Sequence, residues 1–128
     1  DMGPDALCPD CLDHASSYDT ARSALVYGDV VGTLIKQLKY HDQMHGLERF
    51  AQWLAQVAPA ADMIVPVPLH WRRLFVRYYN QAAWLAYGLS HHTAIPCAPE
   101  LLVRIRHTLP QARMNREERV RNMKRAFD

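Results

Sequence analysis

The sequence predicts an α/β protein with a largely parallel sheet, because short apolar runs typical of strands alternate with segments of helical apolar spacing. The strand-like runs are residues 21–27, 62–68 and 101–105. The 128 residues are 49% hydrophobic and 22% charged, the composition of one folded domain of ordinary size. No stretch approaches the ~20 apolar residues of a membrane-spanning helix, and the first residues lack the apolar core of a signal peptide. We therefore expect a cytoplasmic protein without a membrane span.

The first half of the chain predicts one strand followed by two helices. Residues 21–27 are short and partly apolar and end at Gly28, which favours a strand and a turn. Apolar residues recur at helical spacing over 30–38 and again over 47–54, where Pro59 closes the second pattern. We expect both helices to pack on the sheet.

The second half predicts two further strands and two helices. The run at 62–68 ends in two prolines, which cannot donate hydrogen bonds to a neighbouring strand and so mark the change to a loop. Asn80 stands at the N-cap of an apolar helical pattern over 82–89. Residues 101–105 predict a short strand, and a polar helix is expected from Asn115 to about Lys124.

Positive charge is concentrated late in the chain, although the formal net charge is only +2. The chain between residues 69 and 81 has three arginines and no acid, and residues 104–125 have eight basic residues against Glu117 and Glu118. Such clusters suggest an anionic partner, either a phosphorylated small molecule or a nucleic acid backbone. A solvated basic face is the alternative. The basic residues are Arg72, Arg73, Arg77, Arg104, Arg106, Arg113, Arg116, Arg119, Arg121, Lys124 and Arg125.

Two of these basic segments are candidates for holding phosphate. Residues 65–81 run from a strand end through a basic loop to a helix start, where arginine forks and free helix amides can receive phosphate oxygens. Residues 104–115 are polar and lack regular apolar spacing, which is typical of a flap that closes over a ligand. Trp71 within the first loop can stack on a base. A surface turn and a solvated connection are the alternatives for the two segments.

The runs VPVPLHWRRLFVRYYNQA and RIRHTLPQARMNREERVRNMKRAF, with LVYGDVVGTLIKQLKY upstream, resemble the ComF/GntX branch of type I phosphoribosyltransferases. The resemblance extends over nearly the whole chain. It implies a partial phosphoribosyltransferase-like parallel sheet with flanking helices at 19–128, preceded at 1–18 by the remnant of a zinc ribbon. Relatives usually have Gly-Phe where this chain has Tyr78-Tyr79.

The resemblance also implies which residues bind the substrate. The first loop corresponds to the region that meets the pyrophosphate of phosphoribosyl pyrophosphate, which binds with magnesium, and the second to the flap. The implied binding residues are Arg73, Arg77, Asn80 and Gln81 in the first loop, and Arg104, Thr108, Gln111, Arg119 and Asn122 in the flap. No catalytic residue is assigned to this chain.

Two parts of the family pattern are expected outside the chain, which the resemblance identifies as a piece cut at both ends. The acidic strand and Thr-Thr-Gly turn that cradle the 5′-phosphate would follow Phe127, so we expect this piece to be inactive by itself. Cys8 and Cys11 form one knuckle of a zinc site that needs about four ligands, and relatives supply the other knuckle upstream. We therefore expect zinc in the whole protein, and in this chain either thiols without zinc or a non-native disulfide.

Three functions remain open on the sequence. The whole protein can bind phosphoribosyl pyrophosphate and transfer its sugar to an acceptor. It can instead bind single-stranded DNA as an accessory protein of DNA uptake and competence, with which ComF relatives are linked, using the same arginines and Trp71, Tyr78 or Tyr79. It can also dock a partner protein. Uncovered apolar surface would make the piece self-associate.

Overall fold

The structure is a computed structural model that describes residues 17–40 and 46–128. This part of the chain contains five helices, numbered here α1 to α5. They are α1 Asp29–Tyr40, α2 Leu47–Val57, α3 Trp71–Arg77, α4 Gln81–Thr93 and α5 Arg116–Met123.

The structure confirms the helices predicted from apolar spacing and from N-cap residues. The Asn80 side chain accepts a hydrogen bond from the Ala82 amide at 3.1 Å and begins α4. Asn115 begins α5 with a capping box: its side chain accepts from the Glu118 amide at 2.9 Å, and the Glu118 carboxylate accepts from the Asn115 amide at 2.8 Å. These bonds satisfy amides at the helix starts that have no partner within the helix.

Helix α2 packs against helix α4 and forms the main helix contact in the described ranges. Ala51 is buried at this contact, and a Cβ added to Gly88 would lie 2.7 Å from the Ala51 Cβ. Glycine is therefore required here for the two backbones to approach each other. At the edge of the contact, His92 Nε2 lies 2.6 Å from Glu48 Oε1. The surface of α2 that was expected to cover a sheet covers another helix.

Strand pairing in the described residues is limited to two isolated bridges. Ile64 pairs in parallel with Cys97, with hydrogen bonds of 2.8 Å from the Ile64 amide to Pro96 and 2.9 Å from the Ala98 amide to Ile64. Arg104 pairs antiparallel with Phe127. Residues 62–68 and 101–105 thus each take part in a bridge, while the phosphoribosyltransferase-like sheet and the division at residue 18 stay predictions.

The strand predicted at residues 21–27 is wrong, since these residues form no bridge in the structure. No described segment lies beside them as a pairing partner, and their hydrogen bonding is local: the Ser23 hydroxyl donates to the Leu25 carbonyl at 2.8 Å. Val26 is 91% exposed. A strand needs a neighbouring strand to pair its amides and carbonyls, and a short apolar run does not by itself provide one.

Helix α3 was not predicted, because residues 71–77 were interpreted as loop. Its apolar residues Trp71, Leu74 and Phe75 have helical spacing, but none is buried, and the arginines between them made the run resemble a basic loop. His70 starts it by accepting a hydrogen bond from the Arg72 amide at Nδ1, at 3.3 Å. Tyr78 ends it in the left-handed conformation with φ 61°. The central part of the first segment predicted to hold phosphate, residues 65–81, is therefore a short capped helix.

Within the described ranges, no helix combines the length and apolar character that crossing a bilayer requires.

Candidate functional site

The short helix α3 is fixed at both ends relative to its neighbours. Asn80 follows α3 and links the segment before α3 to the start of α4. Its Nδ2 donates to the Val67 carbonyl at 3.2 Å, and its Oδ1 caps α4. At the start of α3, His70 is only 5% exposed and caps the first turn. This arrangement places Arg72, Arg73 and Arg77 on one short, locally constrained element.

The segment that follows Arg104 is held against α5 by a side-chain clamp. Asn122 accepts a hydrogen bond from the Leu109 amide at 3.2 Å and donates one to the Leu109 carbonyl at 3.0 Å. The pair copies the double hydrogen bond that two strands would exchange. Asn122 thus supports the predicted flap by positioning it, and the segment is anchored on both sides of residue 108.

Thr108 is the point at which the two basic segments meet. It is 2% exposed; Arg73 Nη2 donates to its carbonyl oxygen at 2.8 Å, and Arg104 Nη2 donates to its hydroxyl. Both guanidinium groups therefore come together from segments about thirty residues apart in sequence. Each has five N–H donors, so these bonds use only part of what it can donate.

A cavity of about 690 Å³ opens beside this meeting point. Four arginines and one histidine line it together with apolar and amide side chains, and no Asp or Glu is among the lining residues. We call it the arginine cavity. Its lining residues are Arg72, Arg73, Val76, Arg77, Arg104, His107, Leu109, Pro110, Gln111, Ala112 and Met123.

Arg104 has a lowered pKa in this crowded position. Burial, and then the charge of Arg73, lower the pKa of its guanidinium from the ordinary value. Its Nε atom is buried and has no hydrogen-bond partner in the described part of the chain. Its Nη2 lies 3.9 Å from Met123 Sδ, and its guanidinium lies 5.5 Å from the centre of the Phe127 ring. A buried cation beside a second cation is stabilised when an anion binds.

Two histidines lie beside the arginines of this region. The rings of His70 and His107 meet edge to face with centres 5.3 Å apart. Burial lowers the pKa of His70, and the charges of His107 and of Arg72, Arg104 and Arg73 lower it further. The neutral form is also the one that can accept the Arg72 amide at Nδ1.

The structure brings together some of the predicted binding residues and separates others. Arg73, Arg77, Arg104 and Gln111 line the arginine cavity, and Thr108 joins two of them. Arg119 does not line it; its Nε donates to the Met114 carbonyl at 3.0 Å, and the residue is exposed.

Asn80 and Gln81 line a second, largely apolar cavity of about 660 Å³. Arg77 and Arg104 border both cavities. The rest of the apolar cavity is lined by the segment before α1, by α1, α2 and α4, and by the segment before α3. These lining residues are Ser23, Ala24, Leu25, Tyr27, Val31, Ile35, Phe50, Leu54, Val67, Pro68, Leu69, Ala82 and Leu85.

Two lining residues of the arginine cavity were not predicted as binding residues. Arg72 had been noted only as part of the basic run, and its place in the cavity follows from the helical turn of α3. His107 carried no sequence signal, because a single histidine between polar residues has no pattern. Its position depends on the bond from Arg73 to Thr108, which sequence spacing does not reveal.

The predicted metal ligands Cys8 and Cys11 lie outside the described residues. Among the residues that the structure describes, no group of three or more His, Cys, Asp or Glu could hold a metal ion. The lining of the arginine cavity has no carboxylate for magnesium. A magnesium ion here would thus depend on the oxygens of a bound diphosphate.

The sequence is similar to curated bacterial proteins along nearly its whole length. It is 30% identical to Competence protein F of Haemophilus influenzae over 129 residues, which cover 94% of this chain and 56% of that protein. It is 29% identical to DNA utilization protein YhgH of Salmonella typhi, and equally to that of Salmonella typhimurium, over 133 residues that cover 97% of this chain and 59% of each. No protein-family model and no solved structure shows significant similarity to it.

The chain therefore spans somewhat more than half the length of these curated relatives. The similarity runs through both basic segments, since it leaves at most 6% of the chain uncovered. These similarities support a relationship between this chain and the ComF family.

Proposed function

We propose that the arginine cavity is the diphosphate-binding site of a protein that takes part in DNA uptake or use. The role in DNA uptake or use is supported by the names of the relatives, Competence protein F and DNA utilization protein. The proposed ligand is a small molecule that carries a diphosphate, of the class of phosphoribosyl pyrophosphate. The lead observation is the convergence of four arginines, without an acid, on one cavity beside Thr108.

The size and the donors of the cavity support a small ligand. A volume of about 690 Å³ is within the range of small-molecule sites, roughly 300–1,000 Å³. Arg73 and Arg104 each use Nη2 on Thr108 and keep further N–H donors for phosphate oxygens. The carboxamide of Gln111 adds donor and acceptor atoms to the lining.

In this proposal the chain supplies recognition of the diphosphate. Its arginines neutralise the negative charge, and the partly buried position of Arg104 strengthens that attraction. Magnesium, when bound with the diphosphate, would supply further neutralisation of its negative charge. Transfer of the phosphoribosyl group, if the whole protein performs it, would draw further groups from outside this chain.

The test is calorimetric titration of the whole protein with pyrophosphate and with phosphoribosyl pyrophosphate, in the presence of magnesium. Arg72→Gln and Arg77→Gln should each raise the Kd by about tenfold, since a charge-assisted hydrogen bond contributes about 1.5 kcal/mol or more. Arg49→Gln removes an equal charge from an exposed position on α2 and should leave the Kd unchanged. Equal effects of all three variants, or no saturable binding, would remove the role of the cavity.

A second candidate function is binding of single-stranded nucleic acid, which the exposed aromatic residues of α3 favour. Trp71 is 58% exposed, Phe75 is 76% exposed and Tyr78 is 87% exposed, and their spacing puts them on one side of the helix. The Arg72 guanidinium lies 5.3 Å from the centre of the Trp71 ring. Exposed rings beside arginines can stack on bases while the cations contact phosphates.

The two candidates differ in their response to salt and to loss of an aromatic ring. Nucleic acid binding should weaken steeply with salt and should weaken further in Trp71→Ala. Pyrophosphate binding should saturate at one molecule per chain and should be insensitive to Trp71→Ala, because Trp71 does not line the arginine cavity.

A further inference from the structure

A second basic site lies at the C-terminal end of α5, apart from the arginine cavity. It is a hollow of about 480 Å³ lined by Arg106, Arg121, Lys124 and Arg125. None of these residues lines the arginine cavity, and none belongs to the predicted binding residues. We call this site the basic hollow.

The cations of the basic hollow are held together by the end of the helix. Arg106 Nη2 donates to the carbonyl oxygens of Asn122 at 2.6 Å and Lys124 at 2.7 Å, which fixes one guanidinium over the last turn. Arg125 follows in the left-handed conformation with φ 54°, so the backbone reverses direction directly after Lys124. The residue pair Lys124–Arg125 thereby stays beside Arg106 and does not continue along the helix axis.

The hollow carries far more positive charge than the helix end requires. The C-terminus of a helix is equivalent to roughly half a negative charge, which one cation offsets. Four cations line the hollow, and no acid lines it. The two acids of α5, Glu117 and Glu118, stand in its first turn, where Glu118 closes the capping box.

All four side chains are exposed, and this decides which kind of anion they can hold. An exposed ion pair contributes only about 0–1 kcal/mol, so a single phosphate would bind weakly. A polymer of phosphates contacts several cations at once and releases condensed counterions at each, which produces useful affinity from weak contacts. We infer that the basic hollow binds the phosphodiester backbone of a nucleic acid. The inference does not depend on the arginine cavity, because the two sites share no lining residue.

The test uses the whole protein and a fluorescein-labelled oligothymidylate, with binding followed by anisotropy at several salt concentrations. The variant Arg121→Gln/Lys124→Gln removes two exposed cations of the hollow. The matched control Arg22→Gln/Arg49→Gln removes two exposed cations elsewhere, so both proteins have the same net charge. Circular dichroism and the unfolding temperature establish that both variants are folded.

In the hollow variant the slope of log affinity against log salt should become shallower by about 1.4, since each lost contact to a single strand changes it by about 0.7, with weaker binding at low salt. The control should keep the slope of the unaltered protein. The Kd for pyrophosphate should stay unchanged in the hollow variant, which separates this inference from the diphosphate proposal. Equal losses in both variants, an unchanged slope in the hollow variant, or absence of oligonucleotide binding by the unaltered protein would overturn the inference.

Discussion

The change Tyr78→Gly should stabilise the whole protein although it removes a large aromatic side chain. Tyr78 has φ 61° and ends α3 with a hydrogen bond of 2.7 Å from its amide to the Leu74 carbonyl. This left-handed conformation costs a residue with a Cβ roughly 1–2 kcal/mol, and glycine adopts it without that cost. The side chain is 87% exposed, so its removal sacrifices little buried surface.

The expected gain is the relief of this strain less the greater freedom of glycine in the unfolded chain. The second term is about 0.4–1 kcal/mol, which leaves a net increase of about 0.5–1 kcal/mol in the free energy of unfolding. Urea denaturation followed by circular dichroism measures it. Tyr78→Ala is the control, because alanine removes the ring but keeps the Cβ and therefore the strain.

The comparison of these two variants isolates the backbone contribution. Glycine should be more stable than alanine by about 1 kcal/mol at this position, since only the Cβ differs. Ala94, with φ 59° at the end of α4, offers an independent site where replacement by glycine should have the same sign. If glycine at residue 78 proved no more stable than alanine, the left-handed end of α3 would be refuted.

Two further predictions concern capping residues. His70 has a lowered pKa, so the stability that it contributes is fully present above its ordinary pKa of 6.5 and is lost as the pH falls through the lower folded-state pKa. Unfolding measured across this pH range should show a smaller loss in His70→Asn, which keeps a capping acceptor without the titration; equal losses would contradict this role. Asn115→Ala should lower the free energy of unfolding by about 1 kcal/mol because the capping box is lost, whereas Asn115→Asp should retain most of it. Thermal unfolding of the three proteins checks this, and an alanine variant as stable as the aspartate variant would count against the box.

The sequence predicts best the features of the fold that depend on neighbouring residues. Asn80 and Asn115 were recognisable as N-caps because a cap is made with an amide two or three positions away. The apolar stripes of α1 and α2 were recognisable for the same reason, since side chains three and four positions apart share one helix face. Helix α3 was missed although Trp71, Leu74 and Phe75 have the same spacing, because its arginines and the two preceding prolines favoured a loop.

Pairing between distant segments could not be predicted in the same way. Residues 101–105 were expected to be a strand, but nothing in them indicated that Val103 would exchange hydrogen bonds of 2.8 and 2.9 Å with Asp128. The composition of residues 21–27 suggested a strand without indicating a partner. Register and partner choice depend on which surfaces meet in three dimensions, and a single run of residues contains no record of that.

The candidate site shows the same division between local and distant information. The two arginine-rich segments were visible as charge clusters, and the resemblance identified Arg73 and Arg104 among the binding residues. Arg73 and Thr108 are 35 residues apart in sequence, whereas Arg104 and Thr108 are 4 residues apart. The hydrogen bond between the distant pair brings the two segments together beside the arginine cavity. Substrate binding by Asn122 stays a prediction, while the hydrogen bonds of its side chain to Leu109 could not be foreseen from the sequence.

Asn122 also connects the two basic sites. Its side chain fixes Leu109, which lines the arginine cavity, while its carbonyl oxygen accepts from Arg106 in the basic hollow. The side chain of Asn122 therefore bonds a residue of the arginine cavity, and its backbone bonds a residue of the basic hollow. A displacement of α5 at one site would disturb the hydrogen bonds of Asn122 at the other. A diphosphate in the cavity and a polyanion in the hollow would therefore support the same arrangement of α5, through contacts that the chain makes before either ligand binds.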